Sequence, residues 1–205
     1  MEGFETGLAP EVLASFFSKL ADVYDRMDKA YGEIAEKTGF CCRGCADNCC
    51  ETRFYHYTLV ELLYLFRGVA ALPEWERQRA GERAESLCRG MKQHDGKGKE
   101  SVFRGLCPLN EEGRCRVYAH RPMICRFHGV PWKMMGRNGE VVAPGCGMFD
   151  EKMDEFCLDR TPHYRELALL EKELRRSSGF EGRIRLTIAQ MLVLPMPDVG
   201  MEGVV

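Results

Sequence analysis

Residues 10–37 read PEVLASFFSKLADVYDRMDKAYGEIAEK. Val12, Leu13, Phe16, Phe17, Leu20, Val23, Tyr24, Met27, Tyr31 and Ile34 recur there at steps of three and four, which predicts one long helix with an apolar face turned to a core. Pro10 suits a first turn, where its missing amide hydrogen costs nothing. Gly39 is placed to close the helix in the left-handed conformation.

More helix follows. Thr58-Leu-Val-Glu61 reads as a capping box opening a second helix to about Ala71, stopped by Leu72-Pro73. Leu59, Val60, Leu62, Leu63, Leu65, Phe66, Val69 and Ala70 make it apolar nearly all round, so it belongs in the centre. A third helix, about Pro73 to Met91, is polar apart from Trp75, Ala80, Ala84, Leu87, Cys88 and Met91, and is expected to cover one side of the core. His94 to Glu100 reads as a polar linker. Thr161-Pro162 starts a further helix to about Ser178, with Gly179 at its end. Met148 to Leu158 is weakly helical, and Thr187 to Leu194 fits helix or strand.

Two pieces of sheet are expected. Asn110-Glu-Glu-Gly113 is turn chemistry between Cys107 and Cys115, with Val117 and Tyr118 resuming an extended run. Asn138-Gly139 separates Trp132-Lys-Met-Met from Val141-Val142. The fold class expected is therefore mainly α: one small domain over residues 1–205, with an irregular cysteine-rich region and one or two short β-hairpins. Residues 10–91 form a helical part carrying a first cysteine cluster, 101–147 a second cluster with the hairpins, and 148–205 a helical tail.

The chemistry lies in the cysteines. Eight of the chain's eleven fall in two short stretches. One is Cys41-Cys42-Arg-Gly-Cys45-Ala-Asp-Asn-Cys49-Cys50. The other runs from Cys107 through Cys115 to Cys125. Thiolates are the soft ligands that zinc and iron–sulfur clusters select. A disulfide framework fits poorly with an odd count and with an N-terminus lacking a secretory pattern. No apolar run approaches a membrane span. A reducing cytoplasm is the expected compartment, where such cysteines favour metal or redox chemistry. Composition, 45% hydrophobic and 29% charged, supports a core without metal, so metal is expected to organise a local region. The net charge of −2 offers no electrostatic case for nucleic acid or an anionic membrane.

Cys42, Cys45 and Cys49, at i, i+3 and i+7, line up on one side of a helix or wrap a metal from an irregular loop. Cys49 and Cys50, being adjacent, point in different directions. The candidate ligands are Cys42, Cys45, Cys49, Cys50, Cys107, Cys115 and Cys125. Cys146, in a Gly-flanked turn, is a further one. This exceeds the four that one zinc ion or one four-iron cluster requires. Arg121 and Arg126 flank Cys125, either to lower thiolate pKa and hydrogen-bond cluster sulfurs or as surface ion pairs. His120 and His128 are fourth-ligand candidates, but read more readily as hydrogen-bonding loop residues. Cys88 and Cys157 are assigned to helix packing.

The pattern Cys-x2-Cys-x3-Cys-Cys, followed some sixty residues later by Cys107, Gly113, Cys115, Tyr118, Arg121, Pro122, Cys125 and Arg126, resembles the zinc- or iron-chelating CxxCxxCC domain family, the YkgJ-like cysteine-cluster proteins. The resemblance spans about residues 40 to 130. It departs at the first motif, where Ala46, Asp47 and Asn48 replace a two-residue spacing; Cys49 or Cys50 takes the third position, and Cys41 is placed to compensate. The resemblance implies metal chelation. Larger relatives include the flagellin lysine N-methylase, but a Gly-rich methyl-donor motif is not found here. The expected function is a cysteine-cluster metal-binding protein holding an iron–sulfur cluster, or zinc, for electron transfer or cluster delivery to a protein or redox partner. The alternatives are a cluster-dependent enzyme of the lysine N-methylase type and a zinc-stabilised interaction module.

Overall fold

The computed structural model describes residues 6–41, 50–96, 103–147, 149 and 156–200. It is mainly α, with six α-helices and two small sheets among those residues.

Helix α1 (Pro10–Thr38) forms where the periodicity predicts it and buries Leu13, Phe16, Phe17, Leu20, Val23, Tyr24 and Met27. Burying each such side chain is worth about 1.5–3 kcal/mol. Val12, counted in the same stripe, turns out 42% exposed. Gly39 takes φ +65°, and the amides of Gly39 and Phe40 close on the carbonyls of Glu36 and Ala35.

Helix α2 (Leu59–Ala70) is central as its composition demands, with nine of its residues buried. The capping box does not form. Thr58 Oγ donates instead to Glu61 Oε2 at 2.6 Å, and the first amides of the helix, Leu59 and Val60, donate to the two carboxylate oxygens of Glu171 at 2.9 and 3.0 Å. A carboxylate from a distant helix outcompetes the local cap because it satisfies two orphan donors and complements the helix dipole.

Helix α3 (Glu74–Asp95) runs one turn further than its apolar pattern, into the segment read as a linker. Trp75 is 55% exposed, under the Arg79 guanidinium. Strands β1 (Asn110–Glu111) and β2 (Arg114–Cys115) pair through a tight turn in which Glu112 and Gly113 both have positive φ, the conformation that a two-residue hairpin requires. Tyr118–His120 is a 3-10 turn, not the extended run expected. The short helix α4 (Met123–Phe127) carries Cys125.

Strands β3 (Trp132–Gly136) and β4 (Gly139–Ala143) form the second hairpin, its loop Arg137-Asn138 one residue earlier than read. β5 (Leu158–Asp159) joins β3 in parallel, so Leu158 is strand and Cys157 precedes it outside any helix. The weak helix expected over Met148 to Leu158 otherwise lies almost wholly outside the described residues. Helix α5 (Thr161–Ser178) ends at Gly179 with φ +67°. The ambiguous last segment is helix α6 (Ile188–Leu192), opened by a true capping box between Thr187 and Gln190.

One apolar cluster draws on residues from Leu13 to Val199, and a smaller one joins Ala84 and Met91 of α3 to Ala189 of α6, with Cys88 packed against it. No helix among the described residues is long and apolar enough to cross a membrane.

Candidate metal centre

Four of the candidate ligands reach one place. The chain at Cys50 and Glu51 runs beside the chain at Gly105 to Cys107: the Cys107 amide donates to the Cys50 carbonyl at 2.6 Å and the Gly105 amide to the Glu51 carbonyl at 3.3 Å. A Cβ at Gly105 would lie 2.3 Å from Leu87 Cδ1, so any side chain there would push the Leu87 methyl aside. The β1–β2 hairpin then folds back. Asn110 accepts the Gly113 amide at 3.0 Å through its side chain, and the register Asn110↔Cys115 sets Cys115 beside the segment that begins with Cys107. Helix α4 brings in Cys125. Cys50, Cys107, Cys115 and Cys125 all line a single cavity of about 1060 Å³, together with Arg121, Arg126 and His128.

The polar face of α3 explains how the hairpin is held. Glu76 takes the Arg116 guanidinium in a bidentate pair, both contacts 2.7 Å, and Glu111 receives Arg79 and Arg83 at 3.0 and 2.6 Å. These charges brace the hairpin that carries Cys115 and follows Cys107.

Electrostatics tie the sulfurs together. Burial pushes the Cys107 thiol up to about 12, and proximity to Cys115 and Cys50 adds to it. Burial likewise raises Cys115, with Cys50 contributing. Cys125 is raised far above the ordinary range by burial and then by Cys107, Cys115 and Cys50. Cys107, Cys115 and Cys125 therefore feel one another and Cys50, and without a cation those three stay protonated. Two groups oppose this at the backbone: the Leu109 amide favours ionisation of Cys107 and the Val117 amide that of Cys115, each two residues on. Arg83 favours ionisation of Cys107, and Arg121 and Arg126 favour that of Cys115.

Arg121 and Arg126 direct their hydrogen bonds elsewhere than to sulfur. Arg121 donates to Asp28 Oδ1 at 3.1 Å and to the Tyr118 carbonyl at 3.0 Å. Arg126, its side chain 3% exposed, donates to Asp28 Oδ2 and to the carbonyls of Arg121 and Ala119, and stacks 3.9 Å over the Tyr24 ring. The pair with Asp28 is thus no surface ion pair on the Arg126 side. It fastens the loop before Cys125 to α1.

Residues the motif reading passed over complete the frame. Glu61, 4% exposed, accepts from Tyr24 Oη at 3.1 Å, from Thr58 Oγ, and from the Met123 amide at 2.8 Å, which locks the start of α4 to α2. Burial raises its pKa, against the pull of those three donors. Arg160, 4% exposed, donates to the Phe127 carbonyl at the other end of α4 at 2.6 Å and lies 4.4 Å over Trp132; burial lowers it to about 10. A lone acid in an otherwise apolar helix was the signal that marked Glu61. Asp28 and Arg160 carry none, because their partners are distant in sequence.

The other candidates fall as follows. Cys42, Cys45 and Cys49 lie outside the described residues, and with them the choice between helix and loop for the first motif. Cys41 is exposed. Cys146 is buried, its amide on the Gly129 carbonyl at 2.9 Å, and does not line the cavity. His120 stacks on Tyr64 at 4.6 Å, away from the cavity lining, whereas His128 lines it and meets Phe54 edge-on. Among the described residues no three His, Cys, Asp or Glu side chains are drawn together closely enough to hold a metal ion. The four thiols share a cavity and a field without a closed coordination sphere. Their donor chemistry, soft sulfurs with amide donors and cationic neighbours, suits an iron–sulfur cluster or zinc. Comparison with protein-family models, with curated proteins and with solved structures finds no match for this chain.

Proposed function

We propose that this protein is a cysteine-cluster metal-binding protein whose resident group is an iron–sulfur cluster, serving electron transfer or cluster delivery to a protein partner. The observation that carries the reading is the convergence of Cys50, Cys107, Cys115 and Cys125, from three separate parts of the chain, on one cavity, with the Leu109 and Val117 amides favouring ionisation of two of the sulfurs. Such amide donation favours a thiolate over a thiol and so favours ligation.

When bound, an iron–sulfur cluster supplies one-electron redox chemistry. The chain's own residues do the rest. The amides of Leu109 and Val117 and the charges of Arg83, Arg121 and Arg126 offset the negative charge gathered on the sulfurs. Cys107 and Cys125 are half-buried in the cavity wall. Glu61 and Arg160 hold the two ends of the helix that presents Cys125.

Anaerobic preparation followed by iron and acid-labile sulfide determination tests this. The expected result is iron and sulfide in equal amounts with visible charge-transfer absorbance. Cys107→Ser and Cys115→Ser are expected to lose most of both, and Cys88→Ser, packed against Ala84 and Met91 outside the cavity lining, to keep them. Stoichiometric zinc without sulfide would replace the cluster by a zinc site on the same cysteines. A protein that takes up neither under reducing conditions would overturn the reading.

A further inference from the structure

Strand β4 forms one side of the second sheet, whose order is β4-β3-β5, and no described strand pairs with its outer edge. Which of its backbone groups face outward follows from β3. The Leu158 and Arg160 amides donate to the Pro131 and Lys133 carbonyls, each at 2.8 Å, and the Met135 amide donates to Thr161 Oγ1 at 2.9 Å. Odd-numbered residues of β3 therefore turn their amides and carbonyls toward β5 and α5, and even-numbered ones toward β4. Given the register Met134↔Val141, the β4 residues bonded to β3 are Gly139, Val141 and Ala143. Glu140 and Val142 point their backbone groups away from the sheet. Edge strands are commonly blunted by lysine, proline or a bulge. β4 has none of these: its register with β3 is unbroken, and Glu140 is its one charge. Val141 is 48% and Val142 61% exposed, two β-branched side chains beside open hydrogen-bonding groups.

We propose that β4 pairs antiparallel with β4 of a second copy of this chain, across a twofold axis at Val141, joining the two sheets into one. The edge is self-complementary in one register. Hydrogen bonds form only where outward residues stand opposite outward residues. Glu140 opposite Glu140 of the second copy sets like charges against each other. Val142 opposite Val142 brings Pro144, which has no amide hydrogen, to the place where a donor to Glu140 is needed. The remaining register sets Glu140 opposite Val142 of the second copy, and the reverse. Val141 then meets its own copy in the closer, non-hydrogen-bonded pair. One face of the joined sheet runs Lys133 and Val142 from one copy, then Glu140 and Met135 from the other, following the pairs Lys133↔Val142 and Met135↔Glu140 within each. Opposite charges flank a valine there, and no like charges meet. The contact is smaller than the ~1,200 Å² of a lasting interface, so the dimer is reversible. It involves neither the cysteines nor their cavity.

The test is sedimentation equilibrium of the full chain over the micromolar to millimolar range, in a thiol reductant that removes any disulfide-linked dimer, with and without metal. A reversible monomer–dimer equilibrium is expected, the same in both preparations. Val142→Pro removes an outward amide hydrogen and leaves the bonds to β3 intact, so it is expected to weaken the dimer about tenfold or more. Val141→Lys sets two ammonium groups against each other at the axis and is expected to do the same, about tenfold or more, by a different route. Glu140→Gln, which faces a valine in this register, is expected to change the dissociation constant less than about twofold. Circular dichroism and melting show that each variant keeps its fold, and Val141→Lys carries the test should the proline disturb the hairpin. A chain that stays monomeric throughout would leave the edge to a strand of another protein and overturn the proposal. So would a dimer that both folded variants leave untouched, one that forms only with metal bound, or one that Glu140→Gln tightens about tenfold, the mark of the Glu140-to-Glu140 register.

Discussion

Glu61 and Gly68, seven residues apart on the same central helix, show how much single positions carry. Glu61 is buried because three donors wait for it. Gly68 is glycine because His120 occupies the space a side chain needs: a Cβ there would stand 2.6 Å from His120 Cγ and 2.7 Å from its Cβ. Those are atoms at the root of the ring, so the 3-10 turn itself has to move. Gly68→Ala gains about 1 kcal/mol of helix propensity but overpacks the contact. The net outcome expected is a loss of about 1–2 kcal/mol in chemical denaturation. His120→Ala in the same chain is expected to return most of that loss, and the double-mutant cycle measures the coupling directly. Neither contact was legible in the sequence. Glycine inside a helix signals a close approach but not what approaches, and His120 invited a ligand reading that its stacking on Tyr64 does not support.

At the scale of elements, periodicity was the dependable signal. The apolar stripe of α1 and the glycines at 39 and 179 mark helix ends that the structure reproduces, because an amphipathic face and a left-handed cap are local properties. Pairings between distant segments were not local and were not legible. β5 in parallel with β3, the ion pairs from α3 to the cysteine hairpin, and the cap of α2 all join residues far apart in the chain. The cap gives a sharp prediction. Glu171, 8% exposed, satisfies the Leu59 and Val60 amides and pairs with Arg175. Glu171→Ala leaves both amides without an acceptor, and a cost of about 2–4 kcal/mol is expected, read as a fall in melting temperature on the order of 5–15 °C. Were α2 capped by Thr58 after all, this substitution would change little and Thr58→Ala would carry the loss.

For the molecule as a whole, His56 links stability to pH. Burial brings its imidazole from the usual 6.5 down to about 4. As pH falls, the unfolded chain takes up the proton first, so the folded state loses stability between about 6.5 and 4 and keeps it in full above that window. Denaturation at a series of pH values is expected to show the native chain losing about 3 kcal/mol more than His56→Leu across that interval, since one pKa unit is worth about 1.4 kcal/mol. Parallel curves for the two proteins would rule the linkage out. The candidate site was partly legible at this scale. The cysteine pattern named Cys42, Cys45, Cys49, Cys50, Cys107, Cys115, Cys125 and Cys146 together; of these Cys50, Cys107, Cys115 and Cys125 line one cavity, Cys146 does not, and the other three lie outside the described residues. It was silent on the other walls of that cavity, to which α3 and α6 contribute Leu87, Met91, Ile188 and Ala189.

The amide of Cys107 seated on the carbonyl of Cys50 has a mechanical meaning. Everything between those two residues, α2 and α3 included, becomes a closed loop whose seam lies at the sulfurs. A load on α3 therefore bears on the hydrogen bond that joins the two cysteine-bearing segments.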